Sequence, residues 1–289
     1  MSILVIRFSS VGDIVLAGAV TRALGPVSFL TLERYSELAA LLPGVTEVRT
    51  WESMGRSSAD GFDTIVDLHC SPRSRWTTLG NPATVHRIAR YDLKRRARVH
   101  FKTGPAPSVL QRYAAAAGTP LSTEPWHGPS TGEGLLLVPG AAHPTKQWPL
   151  ERFVDVALRW KGPVTAVGGP SDADSIQQLK QRIPGLRTVY ERGFVKAYQA
   201  IRECSVAVGG DTGLMHLAEA AGLRTVPLFG PTHSSDRFWP RHPSPIEVDL
   251  SCRPCSRHGR SDCPVGDHQC MQAITPDRVW QALSEGDRA

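Results

Sequence analysis

Short apolar runs, each ending in a small-residue loop that opens an apolar-periodic stretch, recur along nearly the whole chain and limit its fold to one class. In the first half the strand-like runs are 3–6, 27–30 and 64–68, with helical periodicity at 14–24, 35–42 and 110–117. Between them, a basic stretch reads as short runs such as 84–88 separated by Arg-rich turns. After a Pro/Gly-rich stretch at 118–134 the alternation restarts. Strands are expected at 135–138, 164–167, 188–190, 206–208 and 225–229. Helices are expected at 150–160, 171–182, 195–202, 214–221 and 276–283, the last with Pro at its first turn. Such alternation makes parallel sheets covered on both faces. At 289 residues and 41% hydrophobic content, the chain has material for two α/β domains, expected at 1–125 and 133–289 with a cleft between them. Ligands of such sheets bind outside the carboxyl ends of the strands.

The loops at those ends do not spell the common nucleotide fingerprints. The sequence has neither G-x-G-x-x-G after a strand nor G-x-x-x-x-G-K-[ST], which argues against a standard dinucleotide fold or a P-loop NTPase. Instead, Val208-Gly209-Gly210-Asp211-Thr212-Gly213 turns from a strand into a helix, whose first N–H groups would point at phosphate oxygens. Thr212 and His216, four residues apart, share a face of that helix. The same pattern suits Asp211 as a plain helix cap and His216 as a core residue. A second loop, 139–149, sets Lys146 just before a helix, within reach of a diphosphate or simply on the surface. A third, Gly168-Gly169-Pro170-Ser171-Asp172, allows close backbone approach. Three loops of this kind in one half point to a phosphorylated ligand there. In the first half, the loop 7–13 brings Asp13 to the mouth of the first strand. It can act as a general base for a hydroxyl or serve as an ordinary cap, and a helix N-terminus should keep it ionised at neutral pH.

Charge is concentrated. Of a total of +6, residues 71–112 alone carry +9, with ten Arg/Lys against Asp92. That implies an anionic partner or, more simply, a solvated face. The sequence has no uncharged apolar run of ~18 residues. It opens on a strand-like run without a basic leader, so a cytoplasmic protein is expected. Cys70 and Cys204 sit beside apolar runs and should be buried thiols. Cys252, Cys255, Cys263 and Cys270 form C-x2-C-x7-C-x6-C, which reads as a four-cysteine zinc site or as reduced thiols, the second pair being spaced wider than usual.

Taken together, the stretches 3–14, 139–149 and 209–218, then Leu228-Phe229-Gly230-Pro231-Thr232 and the Cys-rich tail, resemble glycosyltransferase family 9, which includes the lipopolysaccharide heptosyltransferases. The resemblance implies a GT-B fold: two facing Rossmann-like domains with an interdomain cleft, acceptor on the first and nucleotide-sugar on the second. It implies a metal-independent, inverting transfer of a sugar, by family default heptose, from a nucleoside-diphosphate sugar (ADP favoured) to an anionic glycan or lipopolysaccharide-core acceptor. Asp13 would be the catalytic base and Lys146 would assist the leaving group. Thr145, Lys146, Ser171, Asp172, Asp211, Thr212, Gly213 and His216 would bind the donor. Ser10, Gly12, Arg73 and Arg75 would bind the acceptor, and the four clustered cysteines would at most hold a structural zinc. A monomer in peripheral contact with the inner membrane, without nucleic acid, fits this picture. Two other classes compete: a non-catalytic nucleotide- or sugar-binding protein, and a zinc-containing nucleic-acid-binding protein using the basic segment.

Overall fold

The computed structural model describes residues 1–104, 106–191, 193–234 and 245–285. The chain forms two compact units, Met1–Tyr91 with Pro107–Trp126, and Asp92–Ala106 with His127–Ala289.

The first unit is built from β1 (Ile3–Ile6), α1 (Val11–Leu24), β2 (Val27–Thr31), α2 (Ser36–Ala40), β3 (Val45–Thr50), α3 (Trp51–Met54), β4 (Thr64–Asp67), α4 (Pro72–Thr77) and β5 (Thr84–Arg87). Helix α5 (Asp92–Phe101) lies in the segment that belongs to the second unit, and α6 (Val109–Ala117) returns to the first. The basic stretch therefore folds as two helices around one strand. Helix α4 starts where Ser71 and Ser74 cap each other and Pro72 takes the first turn, where its missing N–H costs nothing. The sheet order is β3-β2-β1-β4-β5, all parallel, with Val5 opposite Phe29 on one side and Val66 on the other. β1 is buried at all four positions, as an inner parallel strand must be.

The second unit contains β6 (Gly134–Val138), α7 (Leu150–Arg159), β7 (Val164–Val167), α8 (Ala173–Arg182), β8 (Arg187–Val189) and α9 (Phe194–Arg202). It continues with β9 (Cys204–Gly210), α10 (Gly213–Ala220), β10 (Arg224–Phe229), β11 (Ile246–Glu247), α11 (Gln269–Gln272) and α12 (Pro276–Ser284). Its sheet runs β11-β10-β9-β6-β7-β8, again all parallel. Leu135, Leu137, Val206, Val208, Phe153, Trp148 and Leu283 belong to one core. Trp148 is edge-on to Phe153 and donates its indole N–H to the Ile274 carbonyl, which anchors the chain leading into α12.

Each sheet reverses its winding once: between β1 and β4 in the first unit, and between β6 and β9 in the second. Loops leaving two such strands run in opposite directions and open a crevice at their carboxyl ends. Asp13 follows β1, while Lys146 and Asp211 follow β6 and β9. Among the described residues, no helix is long and apolar enough to cross a membrane.

Candidate active site

In the first unit, Ser10 caps α1 and Asp13 occupies the reciprocal position of a capping box. The Ser10 hydroxyl donates to Asp13 Oδ2 at 2.9 Å. The same oxygen meets the Arg7 guanidinium at 2.7 Å. Asp13 is thus both a cap and a fixed carboxylate, with its side chain 30% exposed. Arg7 is the residue the sequence reading missed. It leaves β1 at the switch point, donates to the Leu68 carbonyl at 2.6 Å and lies against the Tyr113 ring. Burial alone would lower the Arg7 pKa, but Tyr113, Asp13 and Asp67 outweigh it and raise it, so its charge is locked on.

The loop after β4 closes the other side. Asp67 is fully buried; it accepts from the His69 and Cys70 N–H groups and from the Ser74 hydroxyl, and it sits 3.6 Å from Arg87. This holds His69 edge-on to Phe8. Arg73 is exposed, with its guanidinium over the rings of Trp51 and Phe8; Arg75 reaches the Cys70 sulfur and Arg90 the Cys70 carbonyl. Arginine side chains therefore crowd the β4–α4 turn. Gly12 is buried in the first turn of α1.

Burial drives the His69 pKa down to about 4, aided by Arg7, Arg73 and Arg90 and opposed by Asp13. Its folded pKa lies below the unfolded value of ~6.5. The associated stability is complete above pH ~6.5 and is lost as pH falls toward 4. A shift of this size caps the effect near ~3 kcal/mol, less the solvent screening of a partly exposed ring. His69→Gln should flatten the fall in Tm between pH 6.5 and 4. Parallel profiles for variant and wild type would show that another group controls that limb.

In the second unit, Lys146 Nζ lies 2.7 Å from Asp211 Oδ2, with side chains only 8% and 3% exposed. The Thr232 hydroxyl donates to the same carboxylate oxygen at 2.9 Å. Asp211 is therefore an ion-pair partner, and Thr212 caps α10, accepting from the Met215 N–H. His216 is buried in the first turn of α10. The strand-end glycines are needed for close approach. A Cβ at Gly210 would stand 2.3 Å from the Lys146 carbonyl oxygen. One at Gly140 would stand 2.2 Å from the Asp172 carboxyl carbon.

Asp172 thus packs over the loop after β6, and its carboxylate accepts from the Gly169 N–H at 2.8 Å, leaving exposed Ser171 as the more available of the two. Thr145 is buried, and its hydroxyl faces Arg260 of the Cys-rich segment, accepting from the N–H and donating to the carbonyl.

Cys70 and Cys204 are buried thiols. Cys252, Cys255 and Cys263 are half-buried and Cys270 is buried, all four free. Burial pushes the Cys270 thiol up to about 11, and the other three cysteines add to the shift despite Arg253. Among the described residues, no group of three or more His, Cys, Asp or Glu is placed to hold a metal ion. The hydrogen bonds of this segment run to the loops after β6 and β10.

The sequence model of glycosyltransferase family 9 (heptosyltransferase) matches residues 110–265. Lipooligosaccharide heptosyltransferase 2 of Campylobacter jejuni subsp. jejuni serotype O:6 is 26% identical over 162 residues, 52% of this chain and 50% of that protein. Its counterpart from Haemophilus influenzae is 24% identical over 290 residues, 84% and 81% of the two chains. The chain spans about half the length of the first Campylobacter relatives it matches. The structure of E. coli ADP-heptose lps heptosyltransferase II superposes with a TM-score of 0.72 at 21% identity, covering 100% of both chains. At that identity the likeness shows the fold, two parallel-sheet α/β domains of the GT-B type.

Proposed function

Because the chain belongs to glycosyltransferase family 9, we propose that it transfers a heptose from ADP-heptose to a hydroxyl of an anionic lipopolysaccharide-core acceptor, with inversion and in a single displacement. The observation that carries this reading is the buried Lys146–Asp211 pair beside the N-terminus of α10, at the switch point of the second sheet. An ammonium and a row of helix N–H groups are what a departing diphosphate requires. The name of the E. coli structural relative includes ADP-heptose, which supports that donor.

In this mechanism the acceptor oxygen attacks the anomeric carbon as the bond from that carbon to the diphosphate oxygen breaks. Asp13 takes the hydroxyl proton, and Arg7 and Ser10 hold its carboxylate in place. Lys146 and the amides at Thr212 and Gly213 receive the charge that gathers on the leaving group. One well-aimed donor of this kind typically contributes ~3–4 kcal/mol. Arg73 and Arg75 are both exposed and would take anionic groups of the acceptor. Isothermal calorimetry with ADP, UDP, GDP and NAD tests the donor site. ADP is expected to bind selectively and to be lost in Lys146→Ala. A preference for UDP or GDP would keep the transferase and discard heptose, and binding of none would leave a non-catalytic scaffold.

The acceptor class suggests work in the cytoplasm at the inner membrane face. Helix α5 supports it: Leu93 and Phe101 are 82% and 78% exposed, among exposed Lys94 and Arg96. Apolar wedges within cationic charge suit an anionic bilayer. The protein should co-sediment with vesicles containing phosphatidylglycerol, and the Leu93→Ser/Phe101→Ser double variant should stay in solution. Equal sedimentation of the two would remove this helix from the membrane contact.

A further inference from the structure

The Cys-rich segment is tied by hydrogen bonds to the loops that carry the candidate donor site. Its hydrogen bonds converge from two sides on the Lys146–Asp211 pair. On the Lys146 side, Thr145 is held at three points. Its hydroxyl accepts from the Arg260 N–H at 2.9 Å and donates to the Arg260 carbonyl at 2.8 Å. Its carbonyl lies 2.7 Å from His268 Nε2. On the Asp211 side, Arg253 is 5% exposed and donates Nε to the Gly230 carbonyl at 2.6 Å and Nη2 to the Thr232 carbonyl at 3.0 Å. The Cys255 and Ser256 N–H groups both donate to the Pro231 carbonyl. Thr232 is the residue whose hydroxyl holds Asp211. Arg253 is itself fixed by Glu247 at 2.7 Å.

We propose that the segment 252–270 is a clasp that sets the position of the donor-binding ammonium, with His268 and Arg253 as positioning residues acting through Thr145 and Thr232. His268 fixes the backbone from which Lys146 projects, and Arg253 fixes the loop that orients its partner carboxylate. The residue pattern follows from that job. Two hydrogen-bonding anchors, one at each end of the segment, need a compact and turn-rich connection rather than a helix or strand. Gly259 serves it at φ 102°, where a Cβ would stand 2.7 Å from that of His143.

The clasp rests on the reading of Lys146 as a diphosphate ligand, so the experiment separates the two. Calorimetry compares ADP with adenosine for wild type, Lys146→Ala, His268→Ala, His268→Gln and the Lys146→Ala/His268→Ala pair. His268→Ala should weaken ADP roughly fivefold, the size of one neutral hydrogen bond, and leave adenosine unchanged. A merely destabilised fold would weaken both. His268→Gln, which keeps a donor, should restore most of the ADP affinity. The double variant should bind ADP no worse than Lys146→Ala alone, since the clasp acts only through the ammonium. ADP affinity that survives Lys146→Ala would overturn the donor reading itself. Loss in Lys146→Ala with none in His268→Ala would overturn the clasp and leave the donor site standing.

Discussion

Asp13→Asn should lower sugar-transfer turnover by about 10²–10⁴-fold, the range of a general base, while ADP affinity stays within about twofold of wild type. The choice of Asn follows from the structure. Asp13 is the fourth residue of a capping box and the partner of a largely buried arginine. Alanine would strip the cap at about 1 kcal/mol and leave Arg7 without its counter-charge, mixing a folding defect into the kinetics. Asparagine keeps the shape and an acceptor oxygen for Ser10 and Arg7, but it cannot take a proton at neutral pH. A thermal scan beside the kinetic assay controls for the remaining loss of charge. Turnover within threefold of wild type would take the base role from Asp13 and leave it a cap. A fall in kcat with an unchanged KM for the donor would place the loss in the chemical step.

How much of this could be read in the residues depends on how local the signal is. The strand–glycine–helix turns are local, so the loops carrying Asp13, Lys146 and Asp211 were legible in the sequence and lie at the carboxyl ends of β1, β6 and β9. Partners distant in sequence were not. Nothing near Lys146 announces Asp211, 65 positions on, so the sequence left Asp211 open to being a cap; its real role is ionic, and Thr212 caps the helix instead. Asp172 follows the same rule. Its carboxylate is committed to the turn it caps and to the space that Gly140 leaves, a fit visible only once two loops meet.

The edge strand β3 escaped the sequence reading because half-exposed Val-Thr-Glu-Val-Arg-Thr has no apolar run to flag it. The basic stretch hid α4 and α5 because arginines mask helical periodicity. Its cap residues, Ser71 and Ser74 around Pro72, were the clue that could have found α4. The contacts of the Cys-rich segment were hidden in a different way. Cysteine spacing draws attention to metal, while the residues that tie the segment to its neighbours, Arg253 and His268, carry no motif.

The second large expected effect concerns the Lys146–Asp211 pair, and here stability and binding should part. Two side chains this deeply buried have given up their hydration, so each depends on the other. Lys146→Met should leave the buried Asp211 carboxylate without its ion-pair ammonium, and Asp211→Leu should leave the ammonium without this carboxylate. Each single change is expected to cost ~3–5 kcal/mol, a fall in Tm on the order of 10 °C. Lys146→Met/Asp211→Leu removes both charges and fills the space with apolar atoms of similar size. It should recover most of the lost Tm, because no buried charge then lacks a partner. ADP binding should not return with it, since the ammonium is gone. Measured together, the four Tm values and four ADP affinities make a double-mutant cycle with opposite outcomes on its two readouts. Single losses that simply add in the double variant would mean the two charges are independently solvated. Normal ADP binding by the stable double variant would mean that the pair belongs to the fold alone. Recovery of stability without recovery of binding is the expected pattern, and it gives the reason a chain would keep a costly ion pair beside a helix N-terminus: the phosphate that arrives there needs a cation already stripped of water.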